Sequence, residues 1–209
     1  MSRLAILGAG GHGRVVADAA TARGAWSSIE FFDDQWPGKS KSGPWPVVGN
    51  TEGCLARCTD YDGVVIALGN NPIRLELSRK IEALGGRLAT VIHPSAVVSS
   101  HAQVGQGVVI FAGAVVNIGA VIGDAVIINT AATVDHDCAV EDAVHLSPGV
   151  HLAGEVRVSK GAWLGVGACV RNRITIGAGS VVGAGAVVVR DVDPGATVVG
   201  NPARPLRSY

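Results

Sequence analysis

A six-residue pattern of apolar and polar positions runs through the second half of the chain. Cut from Val91, residues 91–192 divide into seventeen consecutive hexads without insertion or deletion, and the second position of every hexad is Ile, Val or Leu. The sixth position is Ala, Val, Ser, Cys or Ile throughout. Such a period predicts short parallel strands, each followed by a turn, that stack so that the aliphatic side chains line one continuous interior.

The same region is not expected to be helical or to cross a membrane. An amphipathic helix has a period of 3.6 residues, and a helix would not tolerate this many glycines. The most apolar stretch, residues 108–128, is interrupted by Asn117, Asp124 and regularly spaced glycines, which argues against a membrane helix. A solenoid exposes flat faces, and residues 91–132 contain one charged side chain, Asp124. Because such a face is too apolar to stay hydrated, we predict a homotrimer, with a monomeric solenoid as the alternative.

Residues 1–90 show a different pattern, which predicts a separate α/β domain. A strand at 3–7 leads through glycines into a helix that ends at Gly24, and strands at 29–32 and 63–69 precede a helix at 73–86. This βαββα order indicates a small parallel sheet with helices on its faces. The predicted division is therefore 1–90 and 91–209.

The glycine turn after the first strand resembles a nucleotide-binding fingerprint. It reads Gly8-x-Gly10-x-x-Gly13, and Asp33 lies about twenty residues further on, which is the spacing of a G-x-G-x-x-G turn with its ribose-binding acid. Such a turn brings backbone N–H groups and a helix N-terminus to a phosphate. The domain is half the size of a dinucleotide-binding unit, so a mononucleotide diphosphate fits better. The alternative is that the glycines serve only tight strand-to-helix packing.

Charge and cysteine content narrow the class of partner. Seventeen basic and seventeen acidic residues balance, so no overall field would recruit nucleic acid or an anionic membrane. The four cysteines include a C-x3-C pair with no His or Cys cluster to complete a zinc site, so no metal is expected and the thiols are expected to be reduced. The N-terminus, MSRLAILGAGGHG, lacks a secretory apolar segment, which favours a cytoplasmic location.

Ionisable residues appear abruptly after the nearly uncharged first seven hexads. Within TVDHDCAVEDAVH, residues 133–145, the chain places two histidines and four acids, after forty-two residues with a single charge. They are Asp135, His136, Asp137, Glu141, Asp142 and His145. A histidine among acids in an otherwise uncharged array is a candidate for proton transfer, because its pKa lies near neutrality. The alternative is a solvated histidine at a coil corner.

The order of motifs resembles one family over nearly the whole chain. GAGGHG, DD, ALGNN, VIHPSA, NTAATVDHDC and VVGNPAR follow one another as in the nucleotide-sugar N-acetyltransferases of the hexapeptide-repeat acyltransferases, which acetylate a UDP-4-amino-4,6-dideoxy sugar in bacillosamine-type pathways. The resemblance implies a Rossmann-like lobe followed by a left-handed parallel β-helix with three hexads per triangular coil. It also implies acetyl-CoA as co-substrate, a trimer with active sites between subunits, and a role in surface glycan synthesis.

The resemblance also assigns residues. His136 matches the general base, and Asp137 matches the acid that raises its basicity, although some relatives have Glu there; Asp135 is a rival for this role. The residues matched to the nucleotide-sugar are Gly10, Gly11, His12, Asp33, Asp34, Gly69, Asn70 and Asn129. Those matched to acetyl-CoA are His145 near the thioester, Gly154 as a backbone donor to the oxyanion, and Val166 and Ala184 in the pantetheine and adenine groove.

Further expectations concern the surroundings of this site. Cys138 occupies the sixth position of its hexad and is expected to pack, so direct attack without an acyl-enzyme is favoured; His101 and His151 have no match and are expected at the surface. The late solenoid is basic, which suits the phosphates of coenzyme A. Its basic residues are Arg157, Lys160, Arg171, Arg173, Arg190, Arg204 and Arg207.

Four alternatives stay open at the level of sequence. A GDP-perosamine N-acetyltransferase and a sialic acid O-acetyltransferase share the same layout, and the base can be uracil or guanine. A non-catalytic scaffold would keep the hexads without needing His136. An NAD-dependent oxidoreductase would need a catalytic domain where the repeat lies.

Overall fold

The computed structural model describes residues 2–206 and divides into two compact units, which meet in the chain between Pro94 and Ser95. Each unit has a different architecture, as the change of sequence pattern indicates. The fold class predicted from the sequence is confirmed: a Rossmann-like α/β unit and a left-handed parallel β-helix.

The first unit is built on a five-stranded sheet. Its elements are β1 (Arg3–Leu7), α1 (Gly11–Arg23), β2 (Ser28–Phe32), β3 (Lys41–Ser42), β4 (Trp45–Gly49), α2 (Thr51–Ala56), a 3-10 turn (Cys58–Asp60), β5 (Gly63–Ile66), α3 (Asn71–Ala83) and β6 (Val91–Ile92). The sheet order is β3-β4-β2-β1-β5, parallel except for the β3–β4 hairpin. The carboxyl ends of β1, β2 and β5 therefore lie along one edge, where such sheets bind ligands.

Local chemistry explains where the helices begin and end. Helix α1 ends at Gly24, which adopts φ 70° and donates its N–H to Ala20 and Thr21 carbonyls, as expected of a glycine cap. The helix begins at Gly11, four residues before the apolar pattern that predicted it, because the glycine turn itself forms the first turn of the helix. The β3–β4 hairpin and α2 were not predicted from sequence, since Pro46 interrupts the strand pattern and α2 has only six residues.

The second unit consists of two-residue strands at six-residue intervals. They are β7 (Val97–Val98), β8 (Gln103–Val104), β9 (Val109–Ile110), β10 (Val115–Val116), β11 (Val121–Ile122), β12 (Ile127–Ile128), β13 (Thr133–Val134), β14 (Ala139–Val140), β15 (His145–Leu146), β16 (His151–Leu152), β17 (Arg157–Val158), β18 (Trp163–Leu164), β19 (Cys169–Val170), β20 (Thr175–Ile176), β21 (Val181–Val182) and β22 (Val187–Val188), followed by β23 (Thr197–Val199) and β24 (Arg204–Pro205). Each of β6 to β22 begins at the first position of a predicted hexad.

Three sheets form the sides of the coil, and their strands are parallel except for β24, which pairs antiparallel with β23. The first sheet contains β7, β10, β13, β16, β19 and β22; the second contains β8, β11, β14, β17 and β20; the third contains β9, β12, β15, β18, β21, β23 and β24. Strands eighteen residues apart pair in register, for example Ile127 with His145 and His145 with Trp163. A residue on one coil therefore lies directly against the residue eighteen positions later.

The hexad positions have distinct physical roles. From Ile110 to Val188, every second-position side chain is at most 3 % exposed, so these residues form the predicted interior ladder. From Gly107 to Gly185 the fifth position of every hexad adopts the left-handed conformation, which explains why glycine recurs there. Asp137 occupies this position with φ 58°, a conformation that Asp tolerates better than most residues.

Truncation of a buried second-position side chain is expected to destabilise the solenoid. Leu146 is fully buried, so Leu146→Ala should lower the free energy of unfolding by about 2–5 kcal/mol through lost burial and the cavity left behind. Urea denaturation followed by circular dichroism measures the change. Leu84→Ala is the control, because Leu84 is 54 % exposed and its loss should cost no more than about 0.5 kcal/mol. Equal effects of the two substitutions would contradict the ladder as the source of stability.

No helix in the described part of the chain is long and apolar enough to cross a membrane.

Candidate active site

His136 lies in the turn between β13 and β14, at the corner that joins the first and second sheets. Its side chain is half-exposed, and Nδ1 lies 2.9 Å from Oδ2 of Asp137. Asp135 is engaged differently: its Oδ1 accepts hydrogen bonds from the His136 backbone N–H at 2.8 Å and from Nδ2 of Asn117 at 3.0 Å. Of the two rival acids, Asp137 therefore contacts the imidazole, and Asp135 holds the backbone of the turn.

This corner makes the imidazole more basic. The hydrogen bond between the His136 ring and the Asp137 carboxylate is the largest cause that raises the pKa of His136. Desolvation, the second largest, lowers the pKa, and the negative charges of Asp135, Asp137 and Glu155 each raise it by less. When the Nδ1–H of the neutral ring donates a hydrogen bond to Oδ2 of Asp137, Nε2 carries the free lone pair. The corner therefore presents an exposed nitrogen base toward solvent.

Gly154 occupies the equivalent corner position one coil later, directly beneath the His136 ring. A Cβ on Gly154 would lie 2.6 Å from Cε1 of His136 and still closer to Nε2. Glycine is thus required here for the imidazole to keep its place. The Gly154 carbonyl accepts a hydrogen bond from the Arg173 N–H at 3.1 Å, and the next residue, Glu155, donates its N–H to the His136 carbonyl at 3.0 Å.

A second group of predicted residues lies on and beside the third sheet. Asn129 follows β12, and its Nδ2 lies 3.5 Å from Nε2 of His145, which opens β15. The His145 ring stacks on Trp163, with ring centroids 6.0 Å apart and planes at 17°. Nε1 of Trp163 donates a hydrogen bond to Oγ of Ser147 at 2.9 Å, which fixes the indole.

An apolar cavity of about 240 Å³ continues from Trp163 along the third sheet. Its lining includes Val166 and Ala184, the two residues matched to the coenzyme A groove, together with Ser147, Trp163, Gly165, Val181, Val182 and Gly183. Gly165 faces the backbone of Ala184 at a distance that leaves no room for a Cβ. The groove therefore depends on glycine as well as on the apolar side chains named from sequence.

A single solenoid separates these two groups. His136 and Gly154 lie at the corner between the first and second sheets, whereas His145, Trp163 and the cavity lie on the third sheet, which is the opposite side of a three-sided coil. One chain therefore holds the imidazole base and the apolar groove on different sides. The basic residues predicted for coenzyme A also lie on different sides of the coil. Arg157 lies on the second sheet, whereas Arg173 lies at the corner between the first and second sheets and forms an ion pair with Glu155 at 3.0 Å. Arg207 lies outside the described residues.

In the first unit, the glycines of the turn divide into two kinds. Gly8 has φ 108° and faces the backbone of Ala67, and a Cβ on Gly13 would collide with the Gly8 carbonyl, so both serve packing. Gly10 and Gly11, in contrast, face open space at the start of α1. Both glycines are exposed, which is what an anion-binding helix start requires.

Asp33 follows β2, and its carboxylate is hydrogen-bonded to the backbone of the glycine turn. Its Oδ2 accepts a hydrogen bond from the Ala9 N–H at 2.7 Å, and its Oδ1 accepts from the Gln35 N–H at 3.1 Å. Lys39 donates to the Ala9 carbonyl at 2.6 Å and lies 3.9 Å from Asp33. Asp34 is exposed and accepts from the Thr51 N–H at 2.8 Å. Asp33 thus shapes the turn, whereas the side chain of Asp34 is the more accessible of the two.

The remaining predicted residues lie at the ends of β1 and β5. His12 is largely buried in the first turn of α1, and burial together with the charge of Arg74 lowers its pKa to about 4, so its imidazole is neutral at pH 7. Gly69 faces open space, and Asn70 caps α3 by accepting the Ile73 N–H at 3.1 Å. Arg74 is 1 % exposed and donates to the Leu68 carbonyl and to Oδ1 of Asn71, both at 2.9 Å.

Sequence reasoning missed three participants. Trp163 could have been found from the hexad register, because it lies eighteen residues after His145 at the outward first position of a strand. Ser147 and Lys39 carried no such signal, since their partners are known only from the folded chain. No group of three or more His, Cys, Asp or Glu side chains suited to a metal ion occurs within residues 2–206.

A hexad-built β-helix with a histidine–carboxylate pair at a corner and an apolar groove on another side is the architecture of the hexapeptide-repeat acyltransferases. Comparison with known proteins narrows this class. The family model of the PglD N-terminal domain matches residues 3–81. UDP-N-acetylbacillosamine N-acetyltransferase from Bacillus subtilis (strain 168) is 40% identical over 113 residues, 53% of this chain and 51% of that protein, so the match spans about half the length of this curated relative.

Solved structures match over the whole chain. The acetyltransferase domain of PglB from Neisseria gonorrhoeae FA1090, in complex with acetyl coenzyme A, has a TM-score of 0.94 and 46% identity, covering 98% of this chain and 98% of that one. A histidine-to-alanine variant of GDP-perosamine N-acetyl transferase from Caulobacter crescentus, in complex with CoA and GDP-perosamine, has a TM-score of 0.94 and 40% identity, covering 100% and 98%. The chain belongs to the family of nucleotide-sugar N-acetyltransferases that these proteins represent.

Proposed function

We propose that this protein transfers the acetyl group of acetyl-CoA to the 4-amino group of a nucleotide-linked 4-amino-4,6-dideoxy sugar, with a UDP-sugar favoured, for bacterial surface glycan synthesis. The observation that carries the proposal is the 2.9 Å contact between Nδ1 of His136 and Asp137 at an exposed corner. The complexes of the relatives with acetyl coenzyme A, or with CoA and GDP-perosamine, support the choice of donor and acceptor class.

The proposed reaction is direct attack of the sugar amine on the thioester carbonyl carbon. Nε2 of His136 takes a proton from the attacking nitrogen, and the negative charge on the carbonyl oxygen is stabilised by the backbone N–H of Gly154. When the carbon–sulfur bond breaks, the proton held by His136 passes to the departing thiolate of coenzyme A. Cys138 is 1 % exposed and burial raises its pKa, which makes it a poor nucleophile and supports transfer without an acyl-enzyme.

The donor is proposed to lie along the third sheet. His145 would contact the thioester end, and Val166 with Ala184 would line the pantetheine and adenine groove, because these two residues line the apolar cavity next to Trp163. Asn129, which lies beside His145, would approach the sugar amine. These roles are extended from the family to the matching positions of this chain.

The nucleotide is proposed to bind residues 1–90, and acetyl transfer to occur on residues 91–209. Gly10 and Gly11 would present backbone N–H groups to the diphosphate with His12 beneath them, and Asp34 with Asp33 would lie near the ribose and base. Gly69 and Asn70 would complete this edge of the sheet. The open space above Gly10, Gly11 and Gly69 supports the proposal.

A homotrimer with active sites between subunits would bring the two halves of the site together. The imidazole base and the apolar groove lie on different sides of one solenoid, so a neighbouring copy is needed to place a groove against each His136. Exposed apolar side chains such as Val97, Ile118 and Val121 supply surface for such packing. Sedimentation equilibrium should then give three times the mass of the chain.

Incubation with acetyl-CoA and a panel of UDP- and GDP-linked 4-amino sugars tests the proposal. Release of free thiol with a UDP-4-amino sugar is the expected result, and mass spectrometry should show one added acetyl group on nitrogen. If GDP-perosamine were the preferred acceptor, the protein would instead be a GDP-perosamine N-acetyltransferase. Thiol release with hydroxyl acceptors alone, or none with any acceptor, would reject N-acetylation in favour of an O-acetyltransferase or a scaffold.

The pH dependence tests the role of Asp137. A general base acts when deprotonated, so kcat/KM should fall as the pH drops through the pKa of His136. Because Asp137 raises this pKa, Asp137→Asn should move the acid limb of the profile to lower pH and should also lower the plateau, since the ring loses its orienting acceptor.

Two features of the corner control this experiment: the backbone conformation of residue 137 and the neighbouring carboxylate of Asp135. Asparagine tolerates the left-handed backbone of position 137, so the substitution removes the charge without straining the turn. Asp135→Asn should give a smaller shift in the same direction, because Asp135 acts on His136 through its charge and not through the ring. An acid limb that stays in place in Asp137→Asn would contradict the assignment of His136 as the titrating base.

A further inference from the structure

Trp163 is held in one orientation beside the predicted thioester contact. Its indole stacks on the imidazole of His145 with centroids 6.0 Å apart and an interplanar angle of 17°, which is within the range of an offset aromatic stack. The pairing of β15 with β18 places the two residues directly opposite each other. The stack is therefore fixed by strand register as well as by side-chain contact.

A hydrogen bond prevents the indole from turning over. Nε1 of Trp163 donates to Oγ of Ser147 at 2.9 Å, and Ser147 is 4 % exposed. Trp163 itself is 48 % exposed, so the indole is anchored at one edge and remains partly open to solvent. An exposed aromatic ring with a buried anchor is suited to hold a neighbouring side chain at a surface site.

The position of the ring links two parts of the donor site. On one side it contacts His145, whose Nε2 is 3.5 Å from Asn129; on the other it lines the apolar cavity with Val166 and Ala184. Asn129, His145 and Trp163 thus follow one another along the third sheet and lead into the groove.

From this arrangement we infer that Trp163 is the positioning residue for His145: it sets the plane of the imidazole so that the ring meets the carbonyl end of the bound thioester, and Ser147 locks the indole in place. The inference rests on the proposed function and names the residue that orients its donor contact. A correctly oriented ring loses less freedom on binding, so the effect should appear in the affinity for acetyl-CoA.

The test compares two substitutions that differ in what they retain. Trp163→Phe keeps an aromatic face but loses the donor to Ser147, whereas Trp163→Leu keeps an apolar wall for the cavity but loses the stack. Isothermal titration of the full chain with acetyl-CoA should show a Kd within about threefold of wild type for Trp163→Phe and about tenfold weaker for Trp163→Leu. Ser147→Ala should match Trp163→Phe, because both remove the same hydrogen bond.

A double-mutant cycle with His145→Ala separates positioning from packing. If Trp163 acts through His145, Trp163→Leu should weaken acetyl-CoA binding by less than about twofold in the His145→Ala background. The imidazole resonances of His145 in the free protein should shift most in Trp163→Leu, which removes the stack, and by a smaller amount in Ser147→Ala, which keeps the stack but loses the hydrogen bond that fixes the indole. An equal loss in both backgrounds, or unchanged His145 resonances, would overturn the inference.

The outcomes also distinguish this inference from the function on which it rests. Wild-type protein that binds acetyl-CoA but acetylates no amino sugar would reject the proposed acceptor and leave the cycle fully interpretable. Wild-type protein that does not bind acetyl-CoA would overturn both. Circular dichroism melting curves of the variants should remain close to wild type, since Trp163 is half-exposed.

Discussion

Replacement of His136 by alanine is expected to lower kcat/KM for acetyl transfer by about 10²–10⁴-fold, with the donor affinity nearly unchanged. A positioned general base typically contributes a factor of this size. The side chain of His136 is half-exposed, and Nδ1 of its ring lies 2.9 Å from Asp137, which leaves Nε2 as the base. Thiol release followed at saturating acetyl-CoA measures the rate, and titration with acetyl-CoA measures the donor affinity separately.

Two other histidines serve as controls for this substitution. His151 lies on the first sheet, where Nδ1 is 2.9 Å from Oγ1 of Thr133, and His101 lies in an exposed turn. Alanine at either position should leave the rate within about twofold, by the usual tolerance of surface sites. A rate that survives His136→Ala would reject the histidine base and favour the scaffold or a different catalytic group.

Replacement of Gly154 by alanine is expected to lower kcat by about 10²-fold or more, although the substitution adds a single methyl group. The new Cβ would lie 2.6 Å from Cε1 of His136 and closer to Nε2, so the imidazole would have to leave its position. Small displacements of a catalytic group cost about this much in rate. Because the ring is half-exposed, it can swing into solvent and the fold should be retained.

The matched control is Asn172→Ala, one coil further along the same corner. Asn172 occupies the position equivalent to Gly154 and is exposed, so alanine there should change neither rate nor stability appreciably. Nuclear magnetic resonance of the His136 ring should show loss of the Asp137 contact in Gly154→Ala alone. Near-normal activity in Gly154→Ala would show that the ring is not fixed by the glycine beneath it.

Most of the solenoid could be predicted from the sequence because its period is local and repetitive. A six-residue repeat specifies both the strand start and the buried side chain, and the strands from β6 to β22 begin where the hexads place them. The first unit was less predictable. The β3–β4 hairpin has Pro44 between its strands and Pro46 within β4, and α2 is too short to show a helical period, so neither leaves a pattern in sequence.

In the candidate site, too, some features could be predicted from the sequence and others could not. The corner position of His136 follows from the hexad register, and the acid that follows it is adjacent in the chain. The choice between Asp135 and Asp137 does not follow, because it depends on which carboxylate reaches the ring and which accepts the backbone N–H. The spacing of Asp33 matches that of a ribose-binding acid, and the structure adds that its carboxylate accepts a hydrogen bond from the Ala9 N–H of the glycine turn.

The sequence by itself determined the solenoid, its interior ladder and the candidate base, because each of these depends on spacing along the chain. Only the tertiary structure decided that Gly154 lies beneath His136, that Trp163 stacks on His145, and that the base and the apolar groove lie on different sides of one coil. The physical reason is that contacts eighteen residues apart depend on how successive coils stack, and the angle at each corner is set by three-dimensional packing.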